Sequence, residues 1–167
     1  GFGSQVSKNN RTLLHVACEI CEIAAIELLL ENYPEWAQAQ LITSEPDPEL
    51  PYTKVCPDRH PLMVLAEESA PKDRKGLETM FQMCVLLMKN MSPGELAHPM
   101  RSNGCNFCHY LAGGGKSKVL KECAIWIAEA KESPLRQNYD FEEFTGLASV
   151  DDRWLWVMQN LLNAPTN

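Results

Sequence analysis

The chain has 167 residues, of which 45% are hydrophobic and 22% charged, and its formal net charge is −7. This length suits one globular domain with a sizeable core and is too short for two ordinary domains. The charge argues against binding to nucleic-acid phosphates, and no run approaches the roughly 20 apolar residues that span a bilayer, so we expect neither nucleic acid nor membrane as a partner.

The N-terminal part of the domain predicts a pair of short helices. Residues 12–18 form the first apolar stretch. A second helix is predicted from about Glu22 to Pro34, because its apolar side chains recur at the spacing of an amphipathic helix and proline then interrupts helical hydrogen bonding. The side chains on that apolar side are Ile23, Ile26, Leu29 and Leu30.

The same segment, RTLLHVACEICEIAAIELLLENYP, resembles an ankyrin repeat. It aligns without gaps to the family pattern Thr-Pro-Leu-His-x-Ala-Ala followed by Val-Val-x-Leu-Leu-Leu. Leu13 replaces the proline of that pattern, and Cys21 and Tyr33 replace glycines. Residues 28–30 fill the three leucine positions. The resemblance implies helix pairs that stack side by side into a solenoid.

Three weaker copies of this unit follow along the chain. They are recognised in HPLMVLAEES at 60–69, in CNFCHYLAGGGKSKVLKECAIWI at 105–127 and in EEFTGLASVDDRWLWVMQNLL at 142–162. Taking Cys18, Ala66, Ala112 and Ala148 as equivalent, the steps are 48, 46 and 36 residues, all longer than a regular ankyrin repeat. The predicted units are 9–40, 57–98, 101–134 and 138–163, the last one capping the stack, and together they make residues 5–167 one domain after GFGS at 1–4, which is typical of a cloning scar.

Long connections account for the extra length of the repeats. Residues 41–58 hold four prolines and several acids, so they predict an extended finger. The segments 67–78 and 132–143 predict two further long links. The expected fold is an all-α, ankyrin-like helix-pair solenoid with extended finger loops.

Two motifs with other meanings overlap in the third unit. Cys105, Cys108 and His109 have the spacing of a covalent haem site, and Gly113–Gly115 with Lys116 is similar to part of a phosphate-binding loop. A phosphate loop would need glycine where Tyr110 stands. The repeat instead interprets His109 as a tether between neighbouring loops and the glycines as a left-handed helix terminus before a helix at Ser117.

Two Cys-x-x-Cys pairs raise the possibility of zinc. The first pair is Cys18 with Cys21 and the second is Cys105 with Cys108. Cys21 and Cys105 are 84 positions apart. Cys18 occupies a small-residue position of the repeat, where a buried thiol packs as a small hydrophobe. We therefore expect no metal or other cofactor, and a Cys/His metal- or haem-binding protein is the alternative. Seven cysteines, an odd number, favour a reducing compartment, hence the cytoplasm or nucleus.

The resemblance implies a non-enzymatic protein-interaction module, because ankyrin stacks bind partner proteins on their concave side and fingers. No catalytic constellation stands out in the sequence. Three acids would line one groove and favour a partner segment with Lys or Arg, although they can equally serve solubility. The positions that the resemblance assigns to the partner are Asn10, Arg11, Val16, Glu19, Ile20, Val64, Glu67, Glu68, Asn103, Cys105 and Tyr110.

An alternative function is self-association or docking onto other domains of a parent chain. It is motivated by Trp154 and Trp156 near the end of the chain. Residues two apart cannot share a helix face, so we expect one of these indoles in the core and the other partly exposed.

Overall fold

The computed structural model describes residues 11–39, 59–99 and 103–166, except for the side chain of Phe141. Within these ranges the chain forms eight α-helices and no β-strand, which confirms the all-α class for the described residues. The helices are α1 (Leu13–Glu19), α2 (Ile23–Asn32), α3 (Pro61–Glu67), α4 (Arg74–Met88), α5 (Pro93–Leu96), α6 (Phe107–Gly113), α7 (Ser117–Glu129) and α8 (Val150–Val157). The 3₁₀ turns described are Pro34–Gln38, Pro134–Arg136 and Asp140–Glu142, and a π-helical segment, Met158–Leu162, continues α8.

Three of the short helices begin at equivalent positions of the predicted repeat. Thr12 caps α1, His60 caps α3 and Asn106 caps α6, each side chain accepting backbone N–H groups of the first turn. Such caps satisfy amide groups that have no partner within the helix. The caps are 48 and then 46 residues apart, the same steps that the sequence predicts for the first three units.

Two histidines join neighbouring segments of the chain. In both, Nδ1 accepts the backbone N–H of the residue that caps the same helix, so Nε2 carries the proton. The Nε2 of His15 donates to the carbonyl of Arg59, just before α3, at 3.3 Å. The Nε2 of His109 donates to the carbonyl of Ala164, beyond α8, at 3.2 Å. The second bond is the loop tether that the sequence predicts for His109.

The helices pack as two adjacent rows. In the first row α1 contacts α3, and α3 contacts α6. In the second row α2 contacts α4, and α4 contacts α7. Each first-row helix also contacts the second-row helix that follows it in the chain. The core lies where the rows meet and includes the fully buried Leu14, Ile26, Leu65, Leu87, Leu111 and Ile127.

Helix α4 starts earlier than the sequence predicts. A long link is expected over 67–78, yet α4 begins at Arg74, so the connection is only 68–73. Asp73 caps the helix by accepting the N–H of Gly76 at 2.7 Å. A Cβ on Gly76 would lie 2.6 Å from the Cβ of Pro71, so the glycine allows this tight entry. Gly76, within the predicted link, is therefore part of the helix start.

The fourth predicted unit, 138–163, contains one continuous helix instead of a helix pair. Ser149 caps α8, so Ala148 lies before the helix and not within one. Helix α8 packs on α7, and the π-helical segment contacts α6. A single element thus reaches both rows at this end of the molecule.

The expectation that one of Trp154 and Trp156 lies in the core is wrong. Both indoles are half-buried and pack against the edge of the core, while Leu155 between them is 55% exposed. Helix α8 makes its main contact outside its own continuation with α7, and neither indole is fully covered by that packing.

Three predicted features lie outside the described residues, namely the GFGS segment at 1–4, Asn10 and the finger 41–58. Among the helices that the structure describes, none combines the length and the apolar character that crossing a bilayer requires.

Candidate functional site

A groove of about 830 Å³ runs along α3 and α6, from Arg59 and Cys105 before these helices to their C-terminal ends, and it reaches the C-terminal end of α1. These ends lie side by side because the three helices stack in one row. Glu19 ends α1, Glu67 ends α3 and Gly113 ends α6. We call this feature the central groove; its lining residues are Glu19, Arg59, Val64, Glu67, Glu68, Cys105, His109, Tyr110, Gly113, Gly114 and Lys116.

Two ion pairs repeat along the groove with the same sequence spacing. Arg11 Nη2 lies 2.5 Å from Glu19 Oε2, and Arg59 Nη2 lies 2.5 Å from Glu67 Oε1. In each unit the arginine precedes the helix cap and the glutamate follows eight residues later. The side chains of the second pair are 17% and 22% exposed, so this pair is the better shielded from solvent. Two of the three predicted acids are thus already neutralised within the chain.

The third predicted acid, Glu68, is different. Its carboxylate forms neither a hydrogen bond nor an ion pair with a described residue, whereas its backbone carbonyl accepts a hydrogen bond from Lys116 Nζ. Burial raises the pKa of Glu68, the charge of Glu19 raises it further, and Lys116 opposes both. Glu68 is therefore a partly buried carboxylate with open acceptor positions facing the groove.

Lys116 forms the floor of the groove. Its side chain is almost fully buried, and burial lowers the pKa of its ammonium group while the charge of Glu68 opposes that shift. Gly114 leaves room for it, because a Cβ there would lie 2.8 Å from Lys116 Nζ. Gly115 has φ +74, the left-handed terminus that the sequence predicts before α7.

An aromatic side chain stands on the α6 side of the groove. The Tyr110 hydroxyl accepts a hydrogen bond from Asn103 Nδ2 at 3.1 Å, and Asn103 Oδ1 accepts the backbone N–H of Cys105 at 2.8 Å. Burial raises the pKa of Tyr110. These bonds hold the phenol in place at the groove wall, where a tyrosine can pack on a partner and also form a hydrogen bond.

The structure brings most of the predicted partner-binding residues together. Glu19, Val64, Glu67, Glu68, Cys105 and Tyr110 line the central groove. Arg11 and Asn103 stand behind it and bond to lining residues. Val16 and Ile20 do not line it; Ile20 lies just past α1 and is 66% exposed.

The chemistry of the cysteine and histidine motif is also constrained. Both ring nitrogens of His109 are already bonded, which leaves neither free to ligate haem iron or to act as a base toward Cys105. Burial raises the pKa of Cys18 and of Cys108, which disfavours the thiolate form that binds metals. Among the described residues no three His, Cys, Asp or Glu side chains are grouped closely enough to hold a metal ion.

Sequence reasoning missed several lining residues, chiefly Arg59 and Lys116. A signal for Arg59 exists, because Arg and Glu eight residues apart occur in both of the first two units at equivalent positions. The sequence around Lys116 suggests only part of a phosphate loop. The burial of Lys116 depends on packing between separate units, which local sequence does not reveal.

No protein-family model, curated protein or solved structure matches this chain. The geometry of the described residues therefore carries the functional inference.

Proposed function

We propose that this chain is a non-enzymatic interaction module that binds a partner protein segment in the central groove. The single observation that carries the proposal is that three stacked helices line one continuous groove, which includes the C-terminal end of each helix. An extended segment lying across these ends would contact each unit in turn. The cytoplasm or nucleus is the proposed location, since the cysteines of the described residues are all free thiols.

We further propose that the stack is of the ankyrin type. Three findings support this: the two rows of helices, the helix caps at steps of 48 and 46 residues, and the histidine bonds to neighbouring segments. In such a stack each helix pair has an apolar face that only its neighbours can cover, which leaves rigid surfaces for binding.

The charges of the groove indicate where a basic partner residue would bind. Glu19 and Glu67 are held by arginines of the same unit, so a partner cation would have to compete for them. Glu68 has open acceptor positions and is partly shielded from water, which strengthens an ion pair there. The proposed partner segment therefore places a Lys or Arg against Glu68 and packs an apolar group on Tyr110.

The test uses a photo-reactive phenylalanine analogue in place of Tyr110, in the full chain, with cross-linked peptides identified by mass spectrometry. We expect the captured segments to contain Lys or Arg and to be lost in Glu68→Lys. Glu31→Lys changes the net charge equally at an exposed position on α2 and should leave capture intact. If Glu68→Lys captures the same segments, the proposal of a basic partner is wrong. If the chain with an unchanged Glu68 captures no specific segment, the groove is not a binding site.

Self-association is a second candidate function. The observation that favours it is apolar exposure near the end of the chain, where Leu155 and Val150 of α8 are 55% and 41% exposed and Met158 of the π-helical segment is 40% exposed. Light scattering over a range of concentrations tests this, and a constant monomer mass would exclude it.

A further inference from the structure

The outer face of the second helix row carries an apolar seam unrelated to the central groove. One cleft of about 400 Å³ lies between α2 and α4 and reaches Trp126 of α7. A second cleft, of about 390 Å³, lies between α4 and α7. Both clefts are lined by Phe81 and Trp126, so they are continuous. We call this surface the outer seam; its apolar residues are Ile23, Phe81, Val85, Leu86, Ile125 and Trp126.

The apolar side chains of the seam are only partly covered by the fold. Phe81 and Trp126 are half-buried and pack against the core from outside, and Ile125 is 39% exposed. Contiguous apolar surface with a polar rim is characteristic of interaction sites, whereas scattered apolar side chains are not. The seam is contiguous because it follows three neighbouring helices.

The rim of the seam is acidic and its acids are unpaired. Glu27 lies at the α2 end, and Glu122 and Glu129 lie at the α7 end. None of the three carboxylates forms an ion pair or a hydrogen bond with a described residue. Glu19 and Glu67 of the central groove, by contrast, are paired within the chain. The seam therefore presents an apolar floor with negative charge at both ends.

From this arrangement we propose that the outer seam docks an amphipathic helix of a partner protein, with Lys or Arg at both ends of its apolar stripe. Neighbouring helices in a packed row lie about 8–10 Å apart, so the seam from α2 to α7 is about 20 Å long. A helix rises 1.5 Å per residue, so about 13 residues cover that distance. Apolar anchors at i, i+3 or i+4, and i+7 would fill the two clefts, and the basic ends would meet the three carboxylates.

The probe for this surface is a synthetic, fluorescein-labelled peptide of about 14 residues containing only Leu and Lys, with Leu on one helical stripe and Lys enriched at the ends. Binding is followed by anisotropy with the full chain. We expect the Glu27→Lys, Glu122→Lys, Glu129→Lys triple variant to weaken binding about tenfold or more. Ile125→Asn, which changes no charge, should weaken it about threefold or more.

Two controls distinguish binding at the seam from non-specific attraction. A triple variant with Glu31, Glu35 and Asp151 changed to Lys shifts the net charge equally at exposed positions outside the seam and should change the affinity less than about threefold. Equal weakening by both triple variants would show non-specific charge attraction and overturn the proposal. Equally tight binding of a scrambled Leu/Lys peptide, which lacks the stripe, would also overturn it.

Two further measurements separate binding at the outer seam from binding in the central groove and test whether the seam binds a partner helix or a second copy of the chain. Glu68→Lys, in the central groove, should leave peptide binding unchanged, and its loss there would place the probe in the groove and overturn the seam proposal. Concentration-dependent dimerisation that Ile125→Asn abolishes would show that a second copy of the chain occupies the seam, and would overturn the proposed occupant.

Discussion

Two buried histidines predict that acid destabilises this fold. His15 and His60 are fully buried, and each accepts a backbone N–H at Nδ1 in the first turn of a helix. Burial lowers the pKa of His15 to about 4, helped by the charge of Arg11 and opposed by its bond to the carbonyl of Arg59. Burial lowers the pKa of His60 to about 3, and the neighbouring His98 and His15 lower it further.

The direction of this pH effect depends on whether the folded or the unfolded chain binds more protons. An unfolded histidine has a pKa of 6.5, so below that pH the unfolded chain binds more protons than the folded one. Above about pH 7 the two histidines do not lower the free energy of unfolding. This free energy decreases as the pH drops through 6.5 toward the pKa values of the histidines in the folded chain. At about pH 5 each histidine costs the fold about 2 kcal/mol, or about 4 kcal/mol together, a large share of the roughly 5–15 kcal/mol that is typical of a domain.

The assay is urea unfolding followed by circular dichroism at about pH 7.5 and about pH 5, for the wild type and for His60→Asn and His15→Asn. Asparagine keeps an acceptor near the position of Nδ1 but does not titrate in this range. Each variant should lose about 2 kcal/mol less than the wild type between the two pH values, whatever its absolute stability. A pH dependence in both variants within about 0.5 kcal/mol of the wild type would refute the reasoning, because the other titrating groups are common to all three chains.

Five other substitutions, at four positions, test the packing directly. Arg153 is buried and donates to three backbone carbonyls at 2.6–2.8 Å, so Arg153→Met should cost about 4 kcal/mol in urea unfolding, and Arg153→Lys should recover less than half of that loss. Gly146→Ala would place a Cβ 2.9 Å from backbone atoms of Arg136 and should lower the melting temperature, whereas Gly113→Ala has open space around it and should raise stability by about 0.5 kcal/mol. Thr12→Ala removes the cap of α1 and should cost about 1 kcal/mol, measured in the same unfolding assay.

The helical rows were predictable because their signals are local. Thr12 and Asn106 are favoured cap residues, and the apolar residues of α2 recur at helical spacing. The step of 48 residues follows from matching Cys18 with Ala66, and both side chains are fully buried. Ala112, at the third equivalent position, is exposed in the structure. It holds the equivalent position in the predicted repeat, but among the helices of residues 11–39, 59–99 and 103–166 none follows α6 in the first row.

The central groove was partly predictable for the same reason. The positions of Glu19 and Glu67 in the repeat place them side by side, and the structure does so. Their pairing with arginines was not predicted, because each ion pair joins residues eight apart across a helix and its preceding loop. The positions of three acids and the net charge of −7 suggested an acidic groove, whereas the structure pairs two of these acids with arginines and adds Lys116 to the lining.

The contrast between the two surfaces follows from where each lies in the stack. Residues at the helix ends of the first row meet the loops of the same unit, so charges such as those of Glu19 and Glu67 find partners within the chain. On the outer face of the second row, Glu122 and Glu129 form no ion pair with a described residue and lie beside Trp126. The outer seam therefore combines unpaired carboxylates with partly uncovered apolar surface, whereas the unpaired carboxylate of the central groove, Glu68, shares its lining with the buried Lys116. This combination of apolar surface and negative charge matches the proposed amphipathic helix with basic ends. The proposed occupant of the central groove, an extended segment, has no helical apolar stripe to match it.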